Sequence, residues 1–442
     1  MPSLWKIRCF VARSAREVTH GGLLYWSWIV ALLALVGFGF AAYLEQLDHG
    51  LITTSMRDQV SWAFYIGNFT FLVGVAAAAV MLVIPAYVYD WKPIKEVVIL
   101  GELLAIASLV MCALFVLVDV GRPDRLWHLV PGIGYLNLPS SLLAWDVIVL
   151  NGYLALNLCI ATYVLYSLFV GGQPRKGIFK LLVLLSIPCA IAIHTVTAFL
   201  YNGIPARPFW NSAILAPRFL ASAFCSGPAV LLILMQLLRR FTRFEIPDAA
   251  IWKIAELMAY AMFVNLFLLG AEVFKEYYSN TEHLIHMRYM FTGLDGQSSI
   301  VPYMWFSVVA SLIAFVLFLV PATRRNPMTL NLGCVLIWAG VYIEKGMGLV
   351  IPGLTPDTLG EIYEYFPSRS EVVISIGIFS VGSLLFTLMV KVATPILLGE
   401  FRLRSPSRHF AGTPHPSSGH PFVQSQGSQP QTSTGRVESG RG

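Results

Sequence analysis

Apolar residues fill this chain in ten long runs that hold almost no charge, at 22–44, 62–88, 97–118, 144–170, 179–202, 219–238, 251–274, 302–321, 328–347 and 372–392. About 20 such residues carry a helix across the hydrocarbon core of a bilayer. Barrel strands are shorter and alternate apolar with polar residues, which these runs do not. A segment inside lipid must satisfy its own backbone N–H and C=O groups, so the pattern predicts ten transmembrane helices and an all-α polytopic membrane protein. The first run follows a basic leader (Lys6, Arg8, Arg13, Arg16) and reads as a retained helix rather than a signal peptide, being long and without a small-residue cleavage site.

The pattern also repeats. Gly101-Glu-Leu-Leu-Ala opens the third run, and Asp119 follows seventeen residues after its glutamate. Ala255-Glu-Leu-Met-Ala opens the seventh, and Glu272 follows sixteen residues after its glutamate, at an offset of 154 from the first motif. Gly74 of the second run and Gly227 of the sixth match at nearly the same offset. Members of each pair lie four helices apart and run in the same direction. This predicts two parallel four-helix bundles, spans 2–5 and 6–9, with the first and last helices flanking them.

Composition agrees: 57% of the 442 residues are hydrophobic and 12% charged, and the mean hydropathy is +0.69, which excludes a soluble globular class. The net charge of +6 is explained by basic flanks and carries no nucleic-acid implication. Through Arg408, 19 Lys and Arg fall on the side of the termini and 9 on the other, which predicts that both termini are cytoplasmic. Acidic connections (Glu45, Asp48, Asp58, Glu276, Glu282, Asp357, Glu361, Glu364) lie opposite, and those at about 275–300 and 348–371 are expected to dock an extracytoplasmic partner. Residues 1–20 read as a basic cytoplasmic N-terminus and 21–395 as the membrane domain. Residues 396–442, rich in Ser, Pro, Gly, Gln and Thr, read as a disordered cytoplasmic tail whose His409, His415 and His420 reflect composition rather than a metal site.

The six cysteines are dispersed, without the paired spacing that holds an iron–sulfur cluster or zinc, so no metal and no intrinsic cluster are expected. His194 is the one histidine deep in a run, and the facing histidine pairs of a dihaem cytochrome are missing, so haem is not expected either.

Ionisable groups within spans cost ~2.5 to 3.5 kcal/mol each at the bilayer centre and are functional candidates by default. Glu102 and Glu256 fall toward the cytoplasmic half, as paired packing acids (Lys253 lies one turn from Glu256) or as stations of a proton path. Asp119, Asp146, His194 and Glu272 fall toward the outer half, beside the polar segment Asp119-Val-Gly-Arg-Pro-Asp-Arg-Leu-Trp-His128. In that segment Asp124 and Arg125 either pair at the interface, with Trp127 as anchor and Pro123 as helix stop, or belong to a site. Asp146 heads a span with 28 uncharged residues behind it and requires a partner, for which Arg122 and His128 are the candidates. His194 either bonds a neighbouring hydroxyl, Thr195 or Thr197, or contacts a ligand.

Three stretches, Val60-Ser-Trp-Ala-Phe-Tyr-Ile-Gly-Asn-Phe-Thr-Phe-Leu-Val-Gly74, Asp119 to His128 and Ser140-Ser-Leu-Leu-Ala-Trp-Asp-Val-Ile-Val-Leu-Asn-Gly-Tyr153, resemble the NrfD/PsrC polysulfide-reductase membrane-subunit family. His194-Thr-Val-Thr-Ala-Phe, Ala206-Arg-Pro-Phe-Trp-Asn211 and Ser226-Gly-Pro-Ala229 are similar to its ten-helix branch, nearest to the DsrP type found in DsrMKJOP sulfite-reduction-associated complexes. The resemblance spans about residues 20 to 395. It implies a subunit of the bacterial or archaeal cytoplasmic membrane that exchanges electrons between a quinone (menaquinone or ubiquinone) and an extracytoplasmic ferredoxin-like iron–sulfur subunit, with cytochrome c, cytochrome b and cytoplasmic subunits as further partners if DsrP-like. Quinol oxidation releases two protons with its two electrons, so its hydroxyls need acceptors and a path to water. On this reading Asp146 and His194 accept protons or bond the quinone, Asp119, Arg122 and His128 shape the pocket or the wall facing the partner's cluster, and Glu102, Glu256 and Glu272 transfer protons. Around Gln59 the His and Asn of short family members are missing. A secondary transporter and a passive anchor for redox subunits are the alternatives.

Overall fold

The computed structural model describes residues 4–403 apart from Pro131. Ten helices in it are long and apolar enough to cross a membrane: Leu23–His49, Phe64–Tyr87, Val98–Asp119, Leu142–Phe169, Lys176–Asn202, Leu215–Phe241, Asp248–Ser279, Val301–Leu319, Pro327–Leu354 and Arg369–Leu397. They coincide with the ten apolar runs, and several extend past them by up to about two turns. A helix of 27 residues rises ~40 Å, so its ends reach through the headgroup layer, where charged residues are tolerated.

The second and third spans form the centre, with most of their surface covered. The second packs on the third, sixth and ninth, and the first and tenth pair with each other, the tenth lying against the third. Within spans 2–5, and again within 6–9, consecutive helices are neighbours. Lipid gives helices no hydrophobic reason to associate, so close backbone approach at small residues sets these crossings. A Cβ on Gly39 would lie 2.6 Å from the Cα of Gly377, which brings the first and tenth helices almost into backbone contact. The sequence-matched glycines Gly74 and Gly227 meet across one crossing: a Cβ on Gly227 would lie 3.1 Å from the Gly74 carbonyl oxygen. The sequence-matched acids do not share an environment, since Glu102 is buried and Glu256 is ion-paired near the membrane edge.

Two spans are irregular. The second shifts to π-helical winding over Ile84–Val88, and the ninth breaks at Gly346 before continuing as Met347–Leu354. The connection expected from 348 is therefore helical to Leu354. On the face carrying the described chain ends, the amphipathic helix Leu4–Val18 lies against the fourth span, with Phe10 on Tyr166 and Phe169. The last helix ends at Leu397, and Leu403 N–H bonds Phe169 O at 2.8 Å; the rest of the tail, with His409, His415 and His420, lies outside the described residues. On the opposite face the connections are knitted together. Gln59 Nε2 donates to Glu361, Tyr363 OH to Ser55 O and Ser299 N to Glu364.

Candidate functional site

The Ser141 hydroxyl caps the fourth span by accepting from Ala144 N, which places Asp146 one turn inside the helix. Asp146, Leu150, Tyr153 and Asn157 recur at spacings of four and three and form its buried stripe. The facing stripe of the fifth span is Ala190, His194, Thr197 and Tyr201. These stripes meet at one contact: Thr197 Oγ1 donates to Asp146 Oδ1 at 2.8 Å. Among the described residues no Lys, Arg or His nitrogen lies within ion-pair distance of Asp146. One turn deeper, His194 Nδ1 bonds Ala190 O at 2.6 Å. A carbonyl only accepts, so Nδ1 carries the hydrogen and Nε2 is the free acceptor. Nε2 is buried and has no protein partner among the described residues.

The partners of these groups differ from those the chain order suggests. Arg122 forms a two-pronged ion pair with Asp124, both bonds at 3.1 Å, with both side chains in solvent. That pair holds the Asp124 carboxyl below its ordinary range and raises the Arg122 guanidinium. His128 is exposed and stacks on Trp127 at 3.7 Å. The third span stops at Asp119, Gly121 turns the chain with φ 70°, and a 3-10 turn over Pro123–Leu129 leads both residues away into solvent. Neither Arg122 nor His128 therefore partners Asp146, and Asp124 pairs with Arg122 rather than Arg125. Thr195 bonds Ile191 O, and Thr197 is used by Asp146 rather than His194.

Asp119 ends the third span with Oδ1 buried and unpartnered. Close by, Tyr65 OH donates to Gln46 Oε1 at 2.7 Å, and Gln46 Nε2 donates to Val118 O at 2.7 Å. Above Thr70 lies an aromatic cap. Tyr201 OH meets the Thr70 hydroxyl at 2.5 Å, and Trp62 and Trp210 pack on the Tyr201 ring. Trp210 is pinned by its indole N–H to Leu349 O at 2.9 Å, and it sits where any side chain on Gly353 would be.

Beyond the cap lies a buried ion network that sequence reasoning reached only through Glu272. Arg218 donates to Glu272 and, at 2.8 Å, to Glu344; Asn265 Nδ2 adds a 3.2 Å bond to Glu344. Lys345 Nζ stands 3.7 Å from Glu344 and makes no hydrogen bond of its own. Glu371, also missed, accepts from Ser55 N, Ser368 N and Tyr365 OH. Its signal was legible: Ser368-Arg-Ser-Glu371 is a capping box, and it forms. Arg218, Glu344 and Lys345 had a weaker signal, since each lies within four residues of an expected span end and reads as a flank.

Toward the terminus-bearing face, Glu102 lines a cavity of about 390 Å³ between the third, fourth and fifth spans. Tyr87, Ile160, Val164 and Phe179 form apolar walls, and Lys95, Glu96, Arg243 and Glu245 stand with them. One carboxyl oxygen of Glu102 is buried without a partner, as are Ser108 Oγ, Tyr153 OH and Asn157 Oδ1. Glu256 lies apart, paired with Lys253 at 3.5 Å and Arg324 at 3.4 Å. Among the described residues no three His, Cys, Asp or Glu side chains converge as a metal site would require.

Comparison with known proteins assigns the class. The model of the family described as polysulphide reductase, NrfD, matches residues 53–355, and the chain belongs to that family. It is 27% identical to a putative dimethyl sulfoxide reductase membrane subunit of Halobacterium salinarum, covering 81% of this chain and 88% of that one. It is 24% identical to an Hdr-like menaquinol oxidoreductase integral membrane subunit of Archaeoglobus fulgidus, covering 85% and 95%. A selenate reductase subunit of Mesobacillus selenatarsenatis is also 24% identical, covering 82% and 92%.

Proposed function

We propose that this chain is the quinol-facing membrane subunit of a redox complex, passing electrons between a membrane quinol and an iron–sulfur partner docked on the face opposite its termini. The relatives support this reading: each is named as a subunit of a reductase or oxidoreductase, and one as a menaquinol oxidoreductase subunit. The DsrP-type branch and its sulfur substrates are a narrower form of the proposal that these relatives do not single out.

One observation carries the site. Asp146 is a buried carboxyl near one membrane face whose single partner among the described residues is a hydroxyl, with a free imidazole acceptor one turn away. A carboxylate held without a counter-cation is a strong acceptor for a quinol hydroxyl. His194 Nε2, which faces a cavity of only about 10 Å³, is the second acceptor, reached by the proton rather than by the quinol head group. Thr197 holds the Asp146 oxygen in place, and the Trp62–Tyr201–Trp210 cap keeps water from the acceptors. The exposed apolar residues Trp127, Ile133 and Tyr135 on the connection before the fourth span offer the partner a docking surface. At the other end, the Glu102 cavity serves as a water-filled entrance for protons, and the Tyr153 hydroxyl and Asn157 Oδ1 on the Asp146 stripe, without partners among the described residues, carry the route onward.

The test is Asp146→Asn in the intact complex. The amide keeps the shape and the Thr197 contact but cannot take a proton. Assembly is retained and quinol-dependent reduction of the partner's redox centres falls by about 100-fold or more, the scale of a positioned acid–base group; an unchanged rate overturns the assignment.

A further inference from the structure

Thr70, Phe71 and Gly74 of the second span, His194 of the fifth, Phe219, Ser222 and Ser226 of the sixth, and Val341 and Lys345 of the ninth enclose a cavity of about 10 Å³. That is the size at which one water molecule fits, provided polar partners surround it. Two of the lining side chains bring buried nitrogens with no hydrogen bond among the described residues, His194 Nε2 and Lys345 Nζ. His194 is 1% exposed and Lys345 4%. The hydroxyls in the wall are already committed as donors, Ser222 to Phe219 O and Ser226 to Ser222 O. An acceptor lone pair on one side and an ammonium donor on the other therefore face a space of single-water size.

We propose that this cavity binds one water molecule that relays a proton between Lys345 and His194, joining the buried groups of the two halves of the protein. The step balances. An N–H bond of the Lys345 ammonium breaks as an O–H bond forms on the water, while a second O–H bond of that water breaks and an N–H bond forms at His194 Nε2. Nothing is oxidised or reduced, and the products are a neutral amine and an imidazolium.

The exchange leaves the number of unpaired charges unchanged. On the Lys345 side stand Arg218 of the sixth span, Glu272 of the seventh and Glu344 of the ninth, with Cys225 of the sixth as a further titratable neighbour. With Lys345 charged, that group sums to zero, and Asp146 with a neutral His194 sums to minus one. After transfer the Lys345 group sums to minus one and the Asp146–His194 group to zero. The unpaired negative charge only changes sides. Run in reverse, from a His194 imidazolium to a neutral Lys345 amine, the same relay gives a proton taken up at His194 an exit into the half of the protein that holds Glu272, without passing the aromatic cap.

This inference rests on the cavity, and only its use in turnover rests on the quinol reading. In the intact complex, infrared difference spectra on passing from ordinary to ¹⁸O-labelled water should contain a shifted O–H stretch that disappears in both Lys345→Met and His194→Phe. Its absence in the parent, or its persistence in both variants, overturns the water site. Lys345→Arg separates relay from charge, because a guanidinium donates to the water but does not release its proton. The labelled band should survive in Lys345→Arg while quinol-dependent turnover stays as low as in Lys345→Met. Turnover restored by arginine, or left unchanged by methionine, overturns the relay. A labelled band that behaves as expected beside an unaffected Asp146→Asn variant would instead sink the quinol reading and leave the water site standing.

Discussion

Replacing Arg218 by Met tests whether the ion network holds the second half of the protein together. Arg218 is 6% exposed and is the single hydrogen-bond partner of Glu272 among the described residues, while Glu344 also has Asn265 at 3.2 Å and Lys345 at 3.7 Å. Methionine fills the volume of the arginine stem, so a cavity contributes little. The loss is electrostatic: Glu344 keeps its other partners, and Glu272 is left buried with none. Breaking a buried pair from one side costs about 3–5 kcal/mol because the remaining charge is uncompensated. At about 2 °C per kcal/mol, the lower end for chains above the usual domain size, the detergent-solubilised complex should unfold about 6–10 °C earlier. Adding Glu272→Gln to Arg218→Met removes the stranded charge and leaves an unsatisfied amide worth about 1–3 kcal/mol, so the double variant should be more stable than the single one. Thermal unfolding followed by tryptophan fluorescence measures both. Arg218→Met within about 1 kcal/mol of the parent, or a double variant that adds the two losses, would refute the reasoning.

Three other outcomes follow from the geometry. Glu102→Gln keeps the side-chain shape in the 390 Å³ cavity, so assembly should be normal while proton uptake from the terminus-bearing side, read with a pH dye in proteoliposomes, slows by about tenfold or more; unchanged uptake removes Glu102 from the path. His286, in the helix between the seventh and eighth spans, is held below the ordinary imidazole range by burial, against the opposing bond to Thr355 O. The unfolded segment takes a proton first, so stability is complete above about pH 6.5 and is lost as pH falls from there toward the lower folded value. Hydrogen exchange over 284–291 should therefore accelerate in that window and lose this dependence in His286→Phe. Gly353→Ala would set a Cβ 2.0 Å from the Trp210 ring; the indole must move off Leu349 O, at a cost of about 1–3 kcal/mol, and a Trp210 emission spectrum identical to the parent's would contradict the cap.

The ten spans were legible because uninterrupted apolar runs in lipid admit one solution, and the buried positions of Asp146 and His194 followed from their place in those runs. The ends were less legible. A window of about 20 residues stops short of helices that continue into the headgroup layer; Arg218 and Glu371 lie just outside such runs and Glu344 and Lys345 just inside the end of one, where a charge reads as a flank. Partners were not legible either. Chain proximity suggested Arg122 and His128 for Asp146, but the turn after Gly121 leads them into solvent and a hydroxyl 51 residues away makes the contact. The matched glycines Gly74 and Gly227 meet at one crossing while the matched acids Glu102 and Glu256 sit in different surroundings, because a small residue at a crossing is fixed by the backbone and a charge by whatever faces it.

The central claim is that quinol meets this protein beside Asp146 and His194. A structure of the intact complex with a bound quinol-site inhibitor tests it most directly. The head group should lie within hydrogen-bond distance of the Asp146 carboxyl, below the Trp62–Tyr201–Trp210 cap. A head group seated against Glu102, toward the other membrane face and seventeen residues or ~25 Å down the third span from Asp119, would contradict the account.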